Sequence, residues 1–365
     1  MAFEKIKKNF GFGCMRLKMI DDKVDLEEFN RMIDRFIDAG FNYFDTAHGY
    51  IDGKSEKAIK DCLSSRYNRE DYVLANKLSD WYFEKEEDII PLFESQLKLC
   101  GVEYFDFYLF HCLTRNSYPK HKKCNSFEIV KKLKEEGKIK HIAMSFHDTA
   151  DVLDMILSEQ PFIEAVQLQI NYLDYDDPDV QSKACYDVAV RHGKKVIVME
   201  PVKGGYLVNL PEKAASELDK LNGGSYASYA LRYAGGYPEV FMVLSGMGSM
   251  EMMEDNLKTF SPFVPLSEEE LKTTDRVREI IREVRQIPCT KCNYCAEVCP
   301  KKIPISEYFS VYNKVLSAKI TGGEAKNIFP KEGGAPSDCI SCGKCEKICP
   351  QNIKIKEHIE KISKI

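Results

Sequence analysis

The chain has 365 residues, 30% charged and 44% apolar, with a formal net charge of −5 at pH 7. That length supports an ample core, as one large domain with a small one or as two medium ones. With 20 Phe and 19 Tyr to bury, an intrinsically disordered chain is excluded. The opening Met1-Ala-Phe-Glu-Lys-Ile-Lys-Lys alternates charge with apolar residues, and no apolar stretch approaches spanning length. Neither a signal peptide nor a membrane anchor is expected. The chain reads as cytoplasmic, with neither membrane nor nucleic acid among its partners.

From the start, apolar runs of strand length recur, each followed by a helical pattern. The strand candidates are Asn9–Cys14, Phe41–Thr46, Tyr72–Lys77, Phe105–His111, His141–Phe146, Ala165–Gln169, Val196–Glu200 and Val240–Ser245. Most are continuously apolar, as befits parallel strands buried on both faces. Between them, Leu26, Phe29, Ile33, Phe36 and Ile37 mark one helical face before Gly40; Ile89, Phe93 and Leu97 mark another before Gly101; Ile129 and Leu133 precede Gly137. Eight β-then-α units predict a closed (β/α)8 TIM barrel rather than an open sheet. An open dinucleotide-binding sheet would want a third glycine after Gly11-Phe-Gly13, which is absent. Ser267-Glu-Glu-Glu270 is a capping-box signature opening a charged helix that is expected to cover the barrel. The expected domains are 1–284, barrel with covering helix, and 285–365, a small and mainly helical domain.

Function in such barrels sits at the carboxyl ends of the strands. Reading polar residues there gives Asp45, Lys77, His111, Ser145 and Gln167, with Tyr50 in the loop after Asp45. Taken singly, Asp45 with Lys77 reads as a buried structural ion pair and Tyr50 as core. Together they make chemical sense. An ammonium beside a phenol is expected to lower its pKa, a carboxylate keeps that ammonium charged, and a His orients a substrate oxygen or relays a proton.

The segments Phe44-Asp-Thr-Ala-His-Gly-Tyr50, Val73-Leu-Ala-Asn-Lys77 and Asp106-Phe-Tyr-Leu-Phe-His111 resemble the aldo-keto reductase superfamily over roughly residues 5–260. Asp45, Tyr50, Lys77 and His111 fall on that family's catalytic tetrad. The resemblance implies NAD(P)H-dependent hydride transfer to a small aldehyde or ketone, with Tyr50 as proton donor. It also implies that Ser145 and Gln167 hold the nicotinamide carboxamide. The stretch after the eighth strand lacks a basic residue before Lys258, which weakens an NADPH preference and places NADH on at least an equal footing. Gly246, Ser249 and Asn256 are expected to cradle phosphate and adenine, and Lys203 with Gly204 to form the pyrophosphate loop. His48, His121, His141, His147, His192 and His358 show no such grouping, and most are expected at the surface.

Six of the 14 cysteines are scattered through the body, and eight form two groups of identical spacing near the C-terminus. From Cys289 onward, 13 Lys stand against 8 acidic residues, a net +5, leaving −10 upstream. The runs Cys289/Cys292/Cys295/Cys299-Pro300 and Cys339/Cys342/Cys345/Cys349-Pro350 have the spacing that holds [4Fe–4S] clusters in bacterial-type ferredoxins. In that pattern the fourth cysteine serves the other cluster. Cys289, Cys292, Cys295 and Cys349 are therefore expected on one cluster, and Cys339, Cys342, Cys345 and Cys299 on its twin. Zinc sites do not ask for a three-plus-one run ending in Pro. The spacer, with a helical stretch over Ile305–Ser317 and a Gly-rich loop, resembles the helical ferredoxin modules of larger redox enzymes.

A hydride carries two electrons and a cluster moves one. Coupling them needs a flavin, for which no motif is present, or a substrate that accepts single electrons, or else there is no coupling. A ferredoxin or other redox protein is a candidate partner for the basic tail. The alternative reading is an electron-transfer module whose barrel binds a nucleotide or partner without reducing a carbonyl.

Overall fold

The computed structural model describes residues 3–221, 223–284, 286–316 and 319–365. The eight expected strands form, and we number them β1 Phe10–Gly13, β2 Tyr43–Asp45, β3 Val73–Ser79, β4 Phe105–Leu113, β5 Ile139–Phe146, β6 Ala165–Gln169, β7 Lys195–Met199 and β8 Val240–Gly246. They close into one all-parallel barrel in chain order, with β1 pairing β8 on one side and β2 on the other. The continuous apolar runs are explained by this closure. One face of each strand fills the barrel interior, where Tyr43, Val73, Phe107, Leu109, Ile197 and Met242 pack together, and the other faces the surrounding helices. Gly11 belongs to that interior. A Cβ there would meet Leu244 Cδ2 at 2.7 Å and Tyr43 Cδ1 at 2.9 Å, so its glycine serves barrel packing.

The chain divides into two compact units. The first comprises the chain up to Pro201 together with Ala230–Leu266, and contains all eight strands. The second comprises Val202–Tyr229 and Ser267–Ile365. This differs from the expected division at 284/285, whose second residue lies outside the described residues. The helix Glu268–Val284 opens with the expected capping box: Ser267 N–H donates to Glu270 Oε2 at 2.7 Å, and Glu270 N–H to Ser267 Oγ at 3.3 Å. Within the second unit it packs against the helix Glu212–Leu218.

The second unit is mainly helical around Ile287, Ile303, Tyr308, Phe309, Ile355 and Ile359. The helical stretch expected in the spacer spans Ile305–Leu316; Ser317, its expected last residue, lies outside the described residues. Backbone geometry repeats every 50 residues. Lys291 and Ser341 have φ of 58° and 54°, Asn293 and Gly343 of 66° and 72°, and Lys302 and Asn352 of 49° and 52°. Among the described residues no helix is long and apolar enough to cross a membrane.

Candidate functional site

Parallel register brings the polar strand ends together. Asp45 on β2 lies opposite Ala75, two residues before Lys77 on β3; Ser79 at the end of β3 lies opposite His111 on β4. Lys77 is 1% exposed, and its ammonium donates to Asp45 Oδ1 at 2.5 Å and to the Thr46 carbonyl at 2.8 Å. Burial pushes the Asp45 carboxyl up and the Lys77 ammonium down, and each partner opposes the shift of the other. Asp45 Oδ2 is buried without a well-formed hydrogen bond, although Gln167 approaches the carboxylate and adds a small stabilising contribution.

Tyr50 is 9% exposed, and the Lys77 ammonium lies 4.8 Å from its ring centroid. The expected depression of the phenol pKa by Lys77 is corrected here. Burial raises it well above its ordinary value, and the charges of Asp45 and Glu200 push the same way. Tyr50 therefore keeps its proton at neutral pH. The His111 ring lies 6.1 Å from that of Tyr50, centroid to centroid, and its Nδ1 is 2.5 Å from Ser79 Oγ. Burial, then the Lys77 charge, hold His111 well below its usual pKa, so the imidazole is neutral.

Directly after His111, Cys112 has a φ of 55° and β4 slips in register against β5 between Phe110 and Leu113. This is a bulge, a device that re-aims side chains beside active sites. The Cys112 N–H donates to Ser145 Oγ at 2.7 Å, so Ser145 braces the bulge. Trp81, the chain's one tryptophan, lies in the turn after β3 with its ring tilted against that of His111, 5.0 Å between centroids. Neither the bulge nor Trp81 was read from the sequence, although a lone Trp just beyond a strand end was an available signal.

Of the expected nucleotide contacts, Ser145 and Gln167 meet as register partners on β5 and β6. At the end of β8, the aliphatic stem of Arg16, from the turn after β1, packs against Gly246, its Cβ, Cγ and Cδ within 3.2 Å of where a glycine Cβ would lie. Ser249 caps the helix Met250–Thr259, accepting from Met252 N–H. The first amide of that helix, Met250 N–H, is taken by Glu28 Oε1 at 3.0 Å. Asn256 is 5% exposed and donates to Ser245 Oγ at 3.1 Å, so it secures the strand end where an adenine contact was expected.

Lys203 and Gly204 require a correction. Both belong to the second unit, where Lys203 is 2% exposed and donates to Gln351 Oε1 at 3.0 Å. A Cβ on Gly204 would lie 2.4 Å from the Thr290 carbonyl oxygen. The loop expected to cradle pyrophosphate is instead packed against the cysteine segments. Among the histidines, His121 is fully buried against Phe83, Phe110 and Phe127, with its pKa pushed down to about 3, where a surface position was expected.

In the second unit, the eight clustered cysteines ring two cavities. One is lined by Cys289, Cys292, Cys295 and Cys349; the other by Cys299, Cys339, Cys342 and Cys345. These are the two crossed quartets. Among the described residues no group of three or more His, Cys, Asp or Glu is gathered as a single metal ion requires; the thiols stand around the cavity walls. Four thiols around an otherwise largely apolar cavity fit a cubane, whose corners need ligands spread about a larger core.

Comparison with known proteins decides what the barrel is. The Aldo/keto reductase family profile matches residues 9–279, across all eight strands and Asp45, Tyr50, Lys77 and His111. The chain belongs to that family. A second profile, the 4Fe-4S dicluster domain, matches residues 288–353. This reductase is thus an oxidoreductase with a ferredoxin-type segment C-terminal to its barrel segment in the chain. It is similar to YqkF, an uncharacterised oxidoreductase of Bacillus subtilis (strain 168), at 24% identity over 295 residues, 72% of this chain and 90% of that one. L-galactose dehydrogenase of Arabidopsis thaliana is 23% identical over 295 residues, 76% of this chain and 91% of that one. In fold, the reductase resembles the holo form of AKR11C1 from Bacillus halodurans, with a TM-score of 0.62 and 23% identity over 74% of this chain and 92% of that one. It also resembles an aldo-keto reductase from Klebsiella pneumoniae solved in complex with NADPH, with a TM-score of 0.60 and 20% identity over 75% and 95% of the two chains.

Proposed function

We propose that the reductase transfers hydride from NAD(P)H to a small aldehyde or ketone, and that its second unit carries two [4Fe–4S] clusters. The observation that carries the barrel reading is the buried Lys77–Asp45 pair under the Tyr50 ring, beside a neutral His111. The nicotinamide, when bound, supplies the hydride. Tyr50 holds the proton for the developing alkoxide, and its raised pKa keeps it loaded at neutral pH. Lys77, 4.8 Å from the ring centroid, stabilises the negative charge left as that proton departs. Asp45 keeps Lys77 charged against burial. Ser79 Oγ shares a hydrogen bond with His111 Nδ1; in the tautomer with the proton on Nε2, neutral His111 orients the carbonyl oxygen.

NADH suits the site better than NADPH. Glu28 places a carboxylate on the first amide of the helix after β8, where the family sets its 2′-phosphate contacts. Arg16, whose stem packs against Gly246, is the nearby basic residue for the pyrophosphate shared by both nucleotides. Cys289, Cys292, Cys295 and Cys349 would hold one cluster, and Cys299, Cys339, Cys342 and Cys345 the other. Each cluster, when bound, supplies one-electron transfer. The exposed loop at Cys342 and the basic tail favour a ferredoxin or other small redox protein as partner. Oxygen-labile clusters and a chain rich in cysteine, with 14 of them, suit a reducing cytoplasm.

Anaerobic purification with iron and sulfide analysis, followed by titration with NADH and NADPH, tests this reading. Two cubanes give about eight iron atoms per chain. Oxidation of either nucleotide by a small aldehyde supports the barrel chemistry. Clusters that reduce while no carbonyl is turned over would overturn it in favour of a pure electron-transfer module.

A further inference from the structure

The two cysteine segments repeat each other in thiol spacing and backbone, but the residues around their cavities do not repeat. At corresponding positions Ile340 stands for Thr290, Gly343 for Asn293, Lys356 for Ser306 and Lys301 for Gln351. Among the described residues, the lining of the cavity ringed by Cys289, Cys292, Cys295 and Cys349 carries no charged side chain. The lining of its twin carries Lys301, Lys344 and Lys356, and no carboxylate. The first cavity is also closed over. Thr290 is 2% exposed beneath Gly204, where a Cβ would lie 2.4 Å from the Thr290 carbonyl oxygen. Two more of its lining residues are tied together, Ser306 Oγ donating to Asn293 Oδ1 at 2.5 Å.

The twin cavity is open. Ile340 is 58% exposed, and Cys342 is exposed where its counterpart Cys292 is half-buried. Gly343 in place of Asn293 removes the tie, and the Lys356 ammonium stands 4.0 Å from where a Cβ on Gly343 would lie. Glu346 holds Lys356 there at 3.2 Å. Lys301 and Lys344 are exposed and form no ion pair among the described residues. Lysines around an anionic cubane are accounted for by charge balance alone. An exposed isoleucine among them is not. An apolar residue set in a charged rim is the anatomy of an interface, and transient redox encounters need less than about 1,200 Å² of it. Electron tunnelling weakens steeply with distance, so the exposed thiol is also where a partner's redox centre comes nearest.

We propose that the face around Ile340 and Cys342, ringed by Lys301, Lys344 and Lys356, is the port at which a small acidic one-electron carrier protein docks and reduces the cluster held by Cys299, Cys339, Cys342 and Cys345. The inference rests on the reading that clusters fill the two cavities, and it names which of them meets the partner. The reduced carrier gives up one electron and is oxidised, and the cubane accepts that electron and is reduced; no bond forms or breaks. The lysines draw in the acidic partner, an effect worth about 10–10³-fold in the rate of encounter that salt removes. Ile340 anchors it once docked. The closed cavity offers neither charge nor anchor, so its cluster receives electrons from its twin.

The test is stopped-flow reduction of the full, anaerobically loaded chain by a reduced, acidic plant-type ferredoxin, read as oxidation of that ferredoxin. Raising the salt from about 50 mM to about 500 mM is expected to slow the wild type about tenfold, because screening shortens the reach of the lysines. At low salt, Lys301→Glu with Lys344→Glu should slow it by at least about tenfold. Lys319→Glu with Lys326→Glu changes the net charge equally at exposed lysines that line neither cavity, and should cost less than about twofold. Equal slowing by the two pairs, or a wild-type rate indifferent to salt, overturns the port. If Lys301→Glu with Lys344→Glu fails to hold iron, Ile340→Ser decides instead. Loss of the apolar anchor is expected to cost about fivefold there, and no loss overturns the proposal. Iron well below about eight per wild-type chain would instead remove the two-cluster reading beneath it.

Discussion

Replacing Tyr50 by Phe deletes one oxygen and keeps the ring. The ring is buried at 9% exposure and supports the Lys77 ammonium at 4.8 Å, so packing and the cation–π contact survive. The change in stability is expected to stay within about 0.5 kcal/mol, in the range of substitutions that disturb no core feature. The catalytic cost is larger. A positioned proton donor contributes about 10²–10⁴-fold, equivalent to about 2.7–5.4 kcal/mol of barrier. The assay is anaerobic oxidation of NADH by a small aldehyde, with kcat and KM resolved separately. Loss is expected in kcat, with nucleotide binding and cluster absorbance unchanged. The wild-type pH profile adds a second reading. Because burial, Asp45 and Glu200 hold the phenol well above its ordinary pKa, the rate should show no alkaline fall from Tyr50 up to about pH 10. A loss below tenfold in Tyr50→Phe, or a fall in rate near pH 8 traced to Tyr50, would refute the proton-donor role.

Three further outcomes follow from the geometry. Asp45→Asn leaves Lys77 buried without its counter-charge and should destabilise the fold by about 3–5 kcal/mol at pH 6. Burial already depresses the Lys77 pKa, so the unfolded chain binds more protons than the folded one below the usual lysine range; stability of the variant therefore recovers as pH rises toward about 10, and a pH-independent thermal midpoint would contradict this. Crossed cluster ligation predicts that Cys299→Ala with Cys342→Ala empties one cavity, while Cys299→Ala with Cys292→Ala damages both; iron content per chain separates this from sequential ligation, which gives the reverse. Glu28→Lys should raise the ratio of kcat/KM for NADPH over NADH by about tenfold, the effect of about 1.4 kcal/mol at a helix N-terminus, and an unmoved ratio would show that Glu28 does not govern nucleotide choice.

Features carried by local spacing were legible in the sequence, and features made by folding were not. The strands were legible because barrel closure buries both their faces, leaving continuous apolar runs ended by Asp45, Lys77 and His111. The cap at Ser267–Glu270 and the doubled cysteine runs are contacts or motifs spanning few residues. The bulge at Cys112 leaves no residue-type signature, since cysteine rarely adopts a positive φ. Glu28 and Met250 are 222 residues apart, and Lys203 and Gln351 are 148 apart. A glycine-rich loop carrying a lysine suits a phosphate, and only its packing shows that it grips the cysteine segments.

The 50-residue backbone repeat in the second unit also bears on how that unit matures. Each half provides three thiols to one cavity and a single thiol to the other. Neither half is a self-sufficient module, and a chain cut between the repeats would keep no complete quartet. On the proposed two-cluster reading, filling the first cavity would tie the halves together and shorten the loop that the second cluster must close. Iron loading is accordingly expected to be cooperative, with half-filled chains scarce at every iron-to-protein ratio.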